Sequence, residues 1–478
     1  MNRILRVGLI GSGLLLGACT LGPNFQAPRA QLPERWPKAS EAAARSLPVA
    51  GAVDAHWWDS FADPQLSALV RRALAGNLDL QLAASRVQQS RAMRQSTAAA
   101  TGPKLDGNGG YSRSRNSEEG LNDPSGNAGK ENYSLWQAGL GATWELDLWG
   151  RVRREVEAAD ARLQGVEALR DGAALAVMAE TATGYIQLRS AQQVRVITEQ
   201  NLQIARRSLE LNRTRLADGV ATRLEVAEAA ARVASLEARL EPLQWRERQL
   251  INALGLLLGQ GPGGLPELAE PAAIPQGPLR VPVGLPSELA SRRPDIRQAE
   301  AQLHGATASI GVAQADFYPR ITLSGDLGLQ ALQLSDLDGW SAHRFAIGPS
   351  VSVPLFDGGR RQGVLQLREA QQQEAAIAYQ RTVLGAWHEV DDAMAAYQAQ
   401  QRRHDHLHEA VAQSREALDN AEQQYAQGTV DYLNVLSVQH ALLVNEEELV
   451  DSSQATSLAL VTLYRALGGG WQGDENPT

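Results

Sequence analysis

The chain has 478 residues with 44% hydrophobic side chains, long enough for a large core or several domains. Its formal charge of −9 argues against nucleic acid as a main partner. Aromatic residues make up only 5%, while Ala and Gln are abundant, a composition that suits closely packed coiled-coil helices.

Residues 1–18 form a targeting segment: Arg3 and Arg6 supply charge, and Val7 to Gly17 is an apolar run too short to span a membrane as a stable helix. The run ends in LLGAC, and Cys19 is the only cysteine, so no internal disulfide can form. Two readings stand. One is an ordinary secretory peptide that happens to contain a cysteine. The other is lipidation of Cys19, because LGAC resembles the bacterial lipoprotein signal, whose cysteine becomes the acylated first residue. On that resemblance Thr20, standing where an Asp would retain the protein in the inner membrane, implies the outer membrane. No other segment approaches 18 uninterrupted apolar residues, so any membrane crossing must be by strands.

Residues 19–64 are Pro-rich (PNFQAP, LPERWP) and read as an extended arm. Over 65–260 the pattern predicts a helix opened by Asp63-Pro64 and running through Gly76 to about Ala100, then a β-hairpin at 105–147. A long helix from 151 to about 216 follows, then a turn at 217–222 and a return helix to about 258 containing Pro242. Residues 261–294 are a Pro/Gly-rich connector. The order then recurs over 295–468: helix 295–316, β-hairpin 320–357, long helix 360–426, turn 427–431 and a return helix to about 467, with a disordered tail at 469–478.

The recurrence is visible in the residues. RLADGVATRLEVAEA from Arg215 aligns without a gap on QYAQGTVDYLNVLSV from Gln424, so Gly219 falls on Gly428, Leu224 on Leu433 and Val226 on Val435. The same offset of 209 pairs Gly150 with Gly359, Arg151 with Arg360 and Gly259 with Gly468; upstream an offset of 216 pairs Asp79 with Asp295, Pro103 with Pro319 and Leu105 with Ile321. One unit was duplicated, and whatever each half builds is built twice around a pseudo-axis. A long helix of this size spans ~100 Å, and the return helix (~55 Å) stacked on the short helix before the strands (~37 Å) nearly matches it. Each repeat is then a pair of antiparallel rods of equal height, one stave of a barrel.

The β regions alternate. Trp136, Ala138, Leu140, Ala142, Trp144 and Leu146 fall on one face, Gln137, Gly139, Gly141, Thr143 and Glu145 on the other. Ile321, Leu323, Leu327 and Leu329 alternate with Thr322, Ser324, Asp326, Gly328 and Gln330, and Phe345, Ile347, Val351, Val353 and Leu355 with small residues. In a tilted strand Trp136 and Trp144 lie ~20 Å apart along a membrane normal, the spacing of two aromatic girdles. The polar linkers 113–132 and 335–343 suit the extracellular side. Four strands cannot close a barrel, and an open edge in lipid is prohibitively costly. Two copies give eight strands around a side-chain-filled interior, whereas three give twelve with room for a channel. The fold class is therefore mainly α with a membrane β-barrel: a trimer whose 12-stranded barrel, four strands per chain, stands on a long α-helical barrel.

Nearly the whole chain resembles the TolC-like outer-membrane factors, in particular the lipoprotein branch serving resistance-nodulation-division efflux pumps. The segments that carry the resemblance are CTLGPNFQAP, WWDSFADPQLSALV, ALAGNLDLQLAASRV, RRPDIRQAEAQL, ADFYPRITLSG, GPSVSVPLFDGGR and the two turns. The resemblance implies a homotrimer anchored in outer-membrane lipid, with its α-barrel in the periplasm. Its implied partners are a periplasmic adaptor and an inner-membrane transporter engaged indirectly or at the tips. The transporter supplies the energy, in keeping with the lack of a Walker-type phosphate loop, and no cofactor is expected.

The turns join the longest helices. Gly219 and Gly428 suit a left-handed backbone, and that alone explains them as turns. The resemblance adds an adaptor-docking role for Gly219, Val220, Ala221, Thr222, Leu224, Gly428, Thr429, Val430 and Leu433. Where relatives carry VLDAQR after the second turn, this chain has VLSVQH, so Ser437 and His440 replace the Asp and Arg that hold the periplasmic end shut. The candidate gate is then Val430, Leu433, Asp431, Ser437 and His440, with Asp218 and Asp431 either acidic rings or solvated and helix-capping residues. His404 and His408 share a helix face, but no second ligand set accompanies them, and the run reads as a solvated face rather than a metal site. NEEEL around Glu446 reads the same way.

The leading expectation is a passive exit duct of a tripartite pump for toxic compounds. The alternatives are the duct of a type I protein secretion system, a metal-ion efflux duct, and a periplasmic coiled-coil scaffold. An enzyme is not expected, because no acid–base or nucleophile cluster is present in the sequence.

Overall fold

The computed structural model describes residues 20–28, 47–49, 54–115, 117, 132–278, 280–283 and 289–469. The targeting segment with Cys19, most of the proline-rich arm, most of the 113–132 linker and the tail from 470 lie outside the described residues. In chain order the strands are β1 (Leu47–Val49), β2 (Lys104–Ser114), β3 (Tyr133–Glu145), β4 (Arg280–Pro282), β5 (Arg320–Ala331) and β6 (His343–Ser352). The helices are α1 (Pro64–Gly76), α2 (Leu78–Ala98), α3 (Arg151–Ala217), α4 (Arg223–Leu257), α5 (Leu289–Arg292), α6 (Pro294–Ala315), α7 (Arg360–Ala426) and α8 (Tyr432–Ala466). α3 and α7 each have 67 residues, and α4 and α8 each have 35.

The chain divides into two compact units. The first comprises residues 1–28, 87–166 and 299–379. It holds a four-stranded antiparallel sheet in the order β2-β3-β5-β6. Chain reversals into helices occur at Gly150 and at Gly358-Gly359, all with positive φ, a conformation open to glycine. Asp147 accepts from the Val152 and Arg153 amides at the start of α3, and Asp357 from the Arg361 amide at the start of α7. These carboxylates satisfy helix-end donors that have no partner within the helix.

Residues 20–28 form a strap in this unit. The Leu21 amide donates to the Trp149 carbonyl. Arg154, its side chain only 3% exposed, donates to the carbonyls of Leu21 and Gly22 and to Asn24 Oδ1. Phe25 stacks on His304 at 4.4 Å, and His304 in turn contacts Glu157 at 3.1 Å. Gly22 and Gly311 are in such close approach that a Cβ on Gly22 would lie 2.4 Å from the Gly311 Cα. No side chain larger than hydrogen fits between these two backbones.

The second unit, residues 29–86, 167–298 and 380–478, is helical apart from the short parallel pair β1–β4. A single 3₁₀ turn, Trp57–Phe61, supplies three buried rings, and Trp57 stacks on Tyr464 at 5.3 Å. Asp63 caps α1 by accepting from the Gln65 and Leu66 amides, with Pro64 at the first helical position. The same Asp63 accepts from the Tyr185 hydroxyl at 2.9 Å. Arg189, 1% exposed, donates to Gln192, to the Glu270 carbonyl and to Gln65. The two terminal nitrogens carry these bonds and offset part of the cost of burying the cation, whereas the buried Nε has no partner.

The helix expected from 64 to about 100 is in fact two. Asn77 is extended, with ψ 130, and its side chain donates to the Leu257 carbonyl while accepting from the Leu80 amide. A Cβ on Gly76 would lie 2.6 Å from the Leu258 carbonyl oxygen, so close packing and a side-chain hydrogen bond from a distant residue break a helix that local propensity would continue.

Burial pushes the Tyr185 hydroxyl up to about 12, with Arg189 working against the shift. A group whose folded pKa is raised contributes stability fully present below its unfolded value and lost as pH rises through the folded one. Alkaline titration followed by circular dichroism should therefore show this contribution intact to about pH 10 and lost between there and about 12. In Tyr185→Phe that part of the slope should vanish, with a stability loss at neutral pH of about 1 kcal/mol for the missing bond to Asp63.

Candidate functional site

The strand registers bring the apolar alternation of all four strands onto one face. Leu105, Ala142, Gly325 and Ile347 lie in one row, and Leu140, Leu327 and Phe345 in another. This face is bare in the single chain: Phe345 is 80% exposed, Ile347 78% and Leu327 58%. Trp136, packed on Tyr111 at 4.3 Å, stands toward one end, and Trp144, whose Nε1 donates to the Thr101 carbonyl, toward the other. The opposite face carries Asp106, Asn108, Gln137, Thr143, Ser324, Asp326 and Arg344, with an Arg344–Asp326 ion pair at 3.2 Å. One side therefore suits hydrocarbon and the other water.

At the helical end of the polar face lies a cavity of about 320 Å³ lined by Glu145, Arg151, Asp316, Arg320, Arg360 and Arg361 among others. Arg151 grips Glu145 with two donors, at 2.8 and 2.9 Å, and Glu155 with a third at 2.6 Å. Burial raises the Glu155 carboxyl above its ordinary range, and Arg151 offsets part of that. Arg360, the counterpart of Arg151, is exposed, and the positions corresponding to Glu145 and Glu155 hold Pro354 and Val364. The two halves are alike in backbone elements and unlike in charge here.

In the turns, Gly219 has φ 76 and Gly428 φ 74, as a left-handed reversal requires. Thr222 caps α4 through a reciprocal capping box with Glu225. Val220 is 67% and Leu224 61% exposed, so the first turn presents apolar surface to its surroundings. Asp431 caps α8 by accepting from the Asn434 amide, whereas Asp218 caps nothing because Thr222 takes that place. Leu433, Ser437 and His440 share one exposed face of α8. Val430 does not join them; it packs half-buried against a core that includes Leu209, Val411, Tyr425 and Tyr432. Ala221 is half-buried, and Thr429 folds back, its amide and hydroxyl both donating to the Gln424 carbonyl.

Three residues beside the turns escaped the sequence reading. The buried Tyr425 hydroxyl donates to Asn212 Oδ1 at 2.9 Å, and the Arg215 guanidinium lies over the Tyr425 ring at 4.6 Å. Burial raises the Tyr425 hydroxyl pKa, and Arg215 opposes it. The bond ties α3 to α7 just before each helix reaches its turn. The available signal was a difference between the copies: the first has Leu216 where the second has Tyr425.

The NEEEL segment lies on a half-exposed face, and its acids are paired rather than free. Glu446 pairs with Arg415 at 2.8 Å, Glu447 with Arg239 at 2.7 Å, and Glu448 with Arg403, so three consecutive acids each reach an arginine of another helix. His404 bonds Ser452 and lies within 3.3 Å of Ser453, while His406 and His408 are exposed.

Known proteins share this architecture. The sequence pattern of the outer membrane efflux protein family matches residues 69–260 and 285–469. The chain is 34% identical over 460 residues to the outer membrane protein OprJ of Pseudomonas aeruginosa, covering 96% of this chain and 94% of the relative. It is 32% identical over 472 residues to the toluene efflux pump outer membrane protein TtgI of Pseudomonas putida, covering 97% and 98%. The solved outer-membrane channel OprN superposes with a TM-score of 0.88 at 33% identity, covering 95% of this chain and all of that one. The chain therefore belongs to the outer membrane efflux protein family. It is an outer-membrane efflux component with the mostly helical, four-stranded fold of the solved channels.

Tyr425→Phe should lower stability by about 1 kcal/mol, as should Asn212→Ala, and the double variant should cost less than the sum because one bond is lost once. Thermal melts of the four proteins check this; fully additive losses would mean that the pair does not act together.

Proposed function

We propose that three copies of the chain close into one tube, a twelve-stranded β-barrel in the outer membrane on a periplasmic α-helical barrel, with the duplicated halves of each chain as successive staves. The tube is the passive exit duct of a tripartite efflux pump. The observation that carries this reading is the sheet itself: one face bare and apolar, the other polar, and both edges, β2 and β6, without a strand partner among the described residues. In hydrocarbon every backbone group must be paired, which only closure achieves. The polar face then lines a water-filled bore. Relatives named for toluene and cation efflux support a cargo of small toxic compounds.

Cys19 is the lipid anchor, and the strap that begins at Thr20, clamped by Arg154, holds the chain beside the start of α3. A periplasmic adaptor docks at the two turns, where Val220, Leu224 and Leu433 offer bare apolar surface and Gly219, Ala221, Thr222, Gly428 and Thr429 keep the backbone accessible. A resistance-nodulation-division transporter feeds the duct from below. The resting constriction is built from Leu433, Ser437, His440 and Asp431, with Val430 bracing them from the packed side, and Asn212–Tyr425 fastens the neighbouring helices.

Val220→Asp and Leu224→Asp change exposed side chains outside the core, so the protein should still reach the outer membrane in full amount. Toxin export in a strain lacking its own duct should nevertheless be lost, because charge replaces the apolar docking surface. Export at the unaltered level in both variants would remove the docking assignment.

A further inference from the structure

The duplication has left one acid without the partners that its copy has. Glu180 of α3 corresponds to Glu389 of α7 at the offset of 209. Two arginines hold Glu389, Arg293 at 2.7 Å and Arg465 at 3.6 Å. The first repeat keeps the acid and neither arginine: at the offset of 216 Arg293 falls on Asn77, and at 209 Arg465 falls on Leu256. Asn77 donates its side-chain amide to the Leu257 carbonyl, and Leu256 carries no charge. The Glu180 carboxylate is exposed and makes no hydrogen bond or ion pair among the described residues.

Glu180 stands at a cavity of about 300 Å³ bounded by α3, α4 and α8. Glu180, Thr183 and Gln187 lie at i, i+3 and i+7, so α3 presents an acid, a hydroxyl and an amide along one line. Gly184 lies among them without a side chain, and a Cβ there would come within 3.1 Å of Leu254 Cδ2. α4 lines the opposite side with Leu250, Leu254 and Leu257, and α8 adds Val461. Arg465 also reaches the wall, where Glu389 engages it. No aromatic ring lines the cavity, so recognition of a cation falls to the carboxylate rather than to a π face. The volume sits at the lower end of the roughly 300–1,000 Å³ of small-molecule pockets, and an apolar wall with a few convergent polar groups is the usual lining of such pockets.

We propose that this cavity binds a small organic cation. Its apolar body lies against Leu250, Leu254 and Val461, and its ammonium or pyridinium group faces Glu180. An exposed ion pair alone stabilises little. Here the apolar body contributes burial and the carboxylate selects the sign of the charge. An anion of the same shape is repelled by Glu180 and finds Arg465 already taken. The second repeat has no equivalent site, because its own arginines occupy Glu389.

Fluorescence titration of the purified full chain in a neutral detergent tests the site, with 4-(4-dimethylaminostyryl)-N-methylpyridinium as the probe. The unaltered protein should bind it saturably, and benzyltrimethylammonium should displace it while phenylacetate does not. Glu180→Gln should weaken binding several-fold. Leu256→Arg gives the first repeat the arginine that the second has. It alters a side chain 72% exposed and should weaken binding to a similar degree by pairing Glu180 from within. Ala253→Phe, at an exposed lining position, should fill the cavity and remove saturable binding. Should that larger residue disturb folding, Glu180→Gln, an exposed change of nearly equal shape, still decides. No saturable binding by the unaltered protein, or equal binding by Glu180→Gln, would overturn the proposal. Displacement by phenylacetate as readily as by benzyltrimethylammonium would overturn the assignment of a cation.

Discussion

Backbone hydrogen bonding at the two free sheet edges governs the rest of the structure. Each edge presents amides and carbonyls that water can satisfy and hydrocarbon cannot. A chain that places Phe345, Ile347 and Leu327 on one bare face is built for hydrocarbon, and it can enter it only if those edges meet other edges. That copies must associate follows from this requirement, and the number of copies in the proposed duct follows from the further need for a hollow interior. Nothing comparable constrains the helices, which carry their own backbone bonds.

The helical part meets a different demand, that of holding long rods in register. It does so with interactions at discrete points. Arg151 binds Glu145 and Glu155 where β3 gives way to α3, Arg154 clamps the strap, and the three acids of NEEEL each hold an arginine on a neighbouring helix. Near the turns the Tyr425–Asn212 bond closes the set. Exposed ion pairs stabilise little one at a time. Their value here is in fixing which helix faces meet, and the half-buried pair of Arg195 with Glu247 belongs to the same pattern.

Much of this was legible beforehand. The long helices were placed at 151 to about 216 and 360–426 and are found at Arg151–Ala217 and Arg360–Ala426. Such runs are readable because no proline interrupts them and a glycine marks each end. The strands were readable because a membrane sheet alternates along its length, and the registers join those alternations into one face. What stayed hidden depended on residues far apart in the chain. The break at Asn77 needs the Leu257 carbonyl, the Tyr425 bond needs Asn212, and the acids 446–448 look unpaired until α4 and α7 bring their arginines. Asp431 was readable as either a cap or a free acid, and only the turn geometry decides for the cap.

The most direct measurement of the central claim is the native mass of the mature protein, extracted from membranes in mild detergent. The account requires three chains per particle and precipitation when the detergent is removed, because the apolar face needs a lipid-like cover. A single chain that stays in solution without detergent would contradict it.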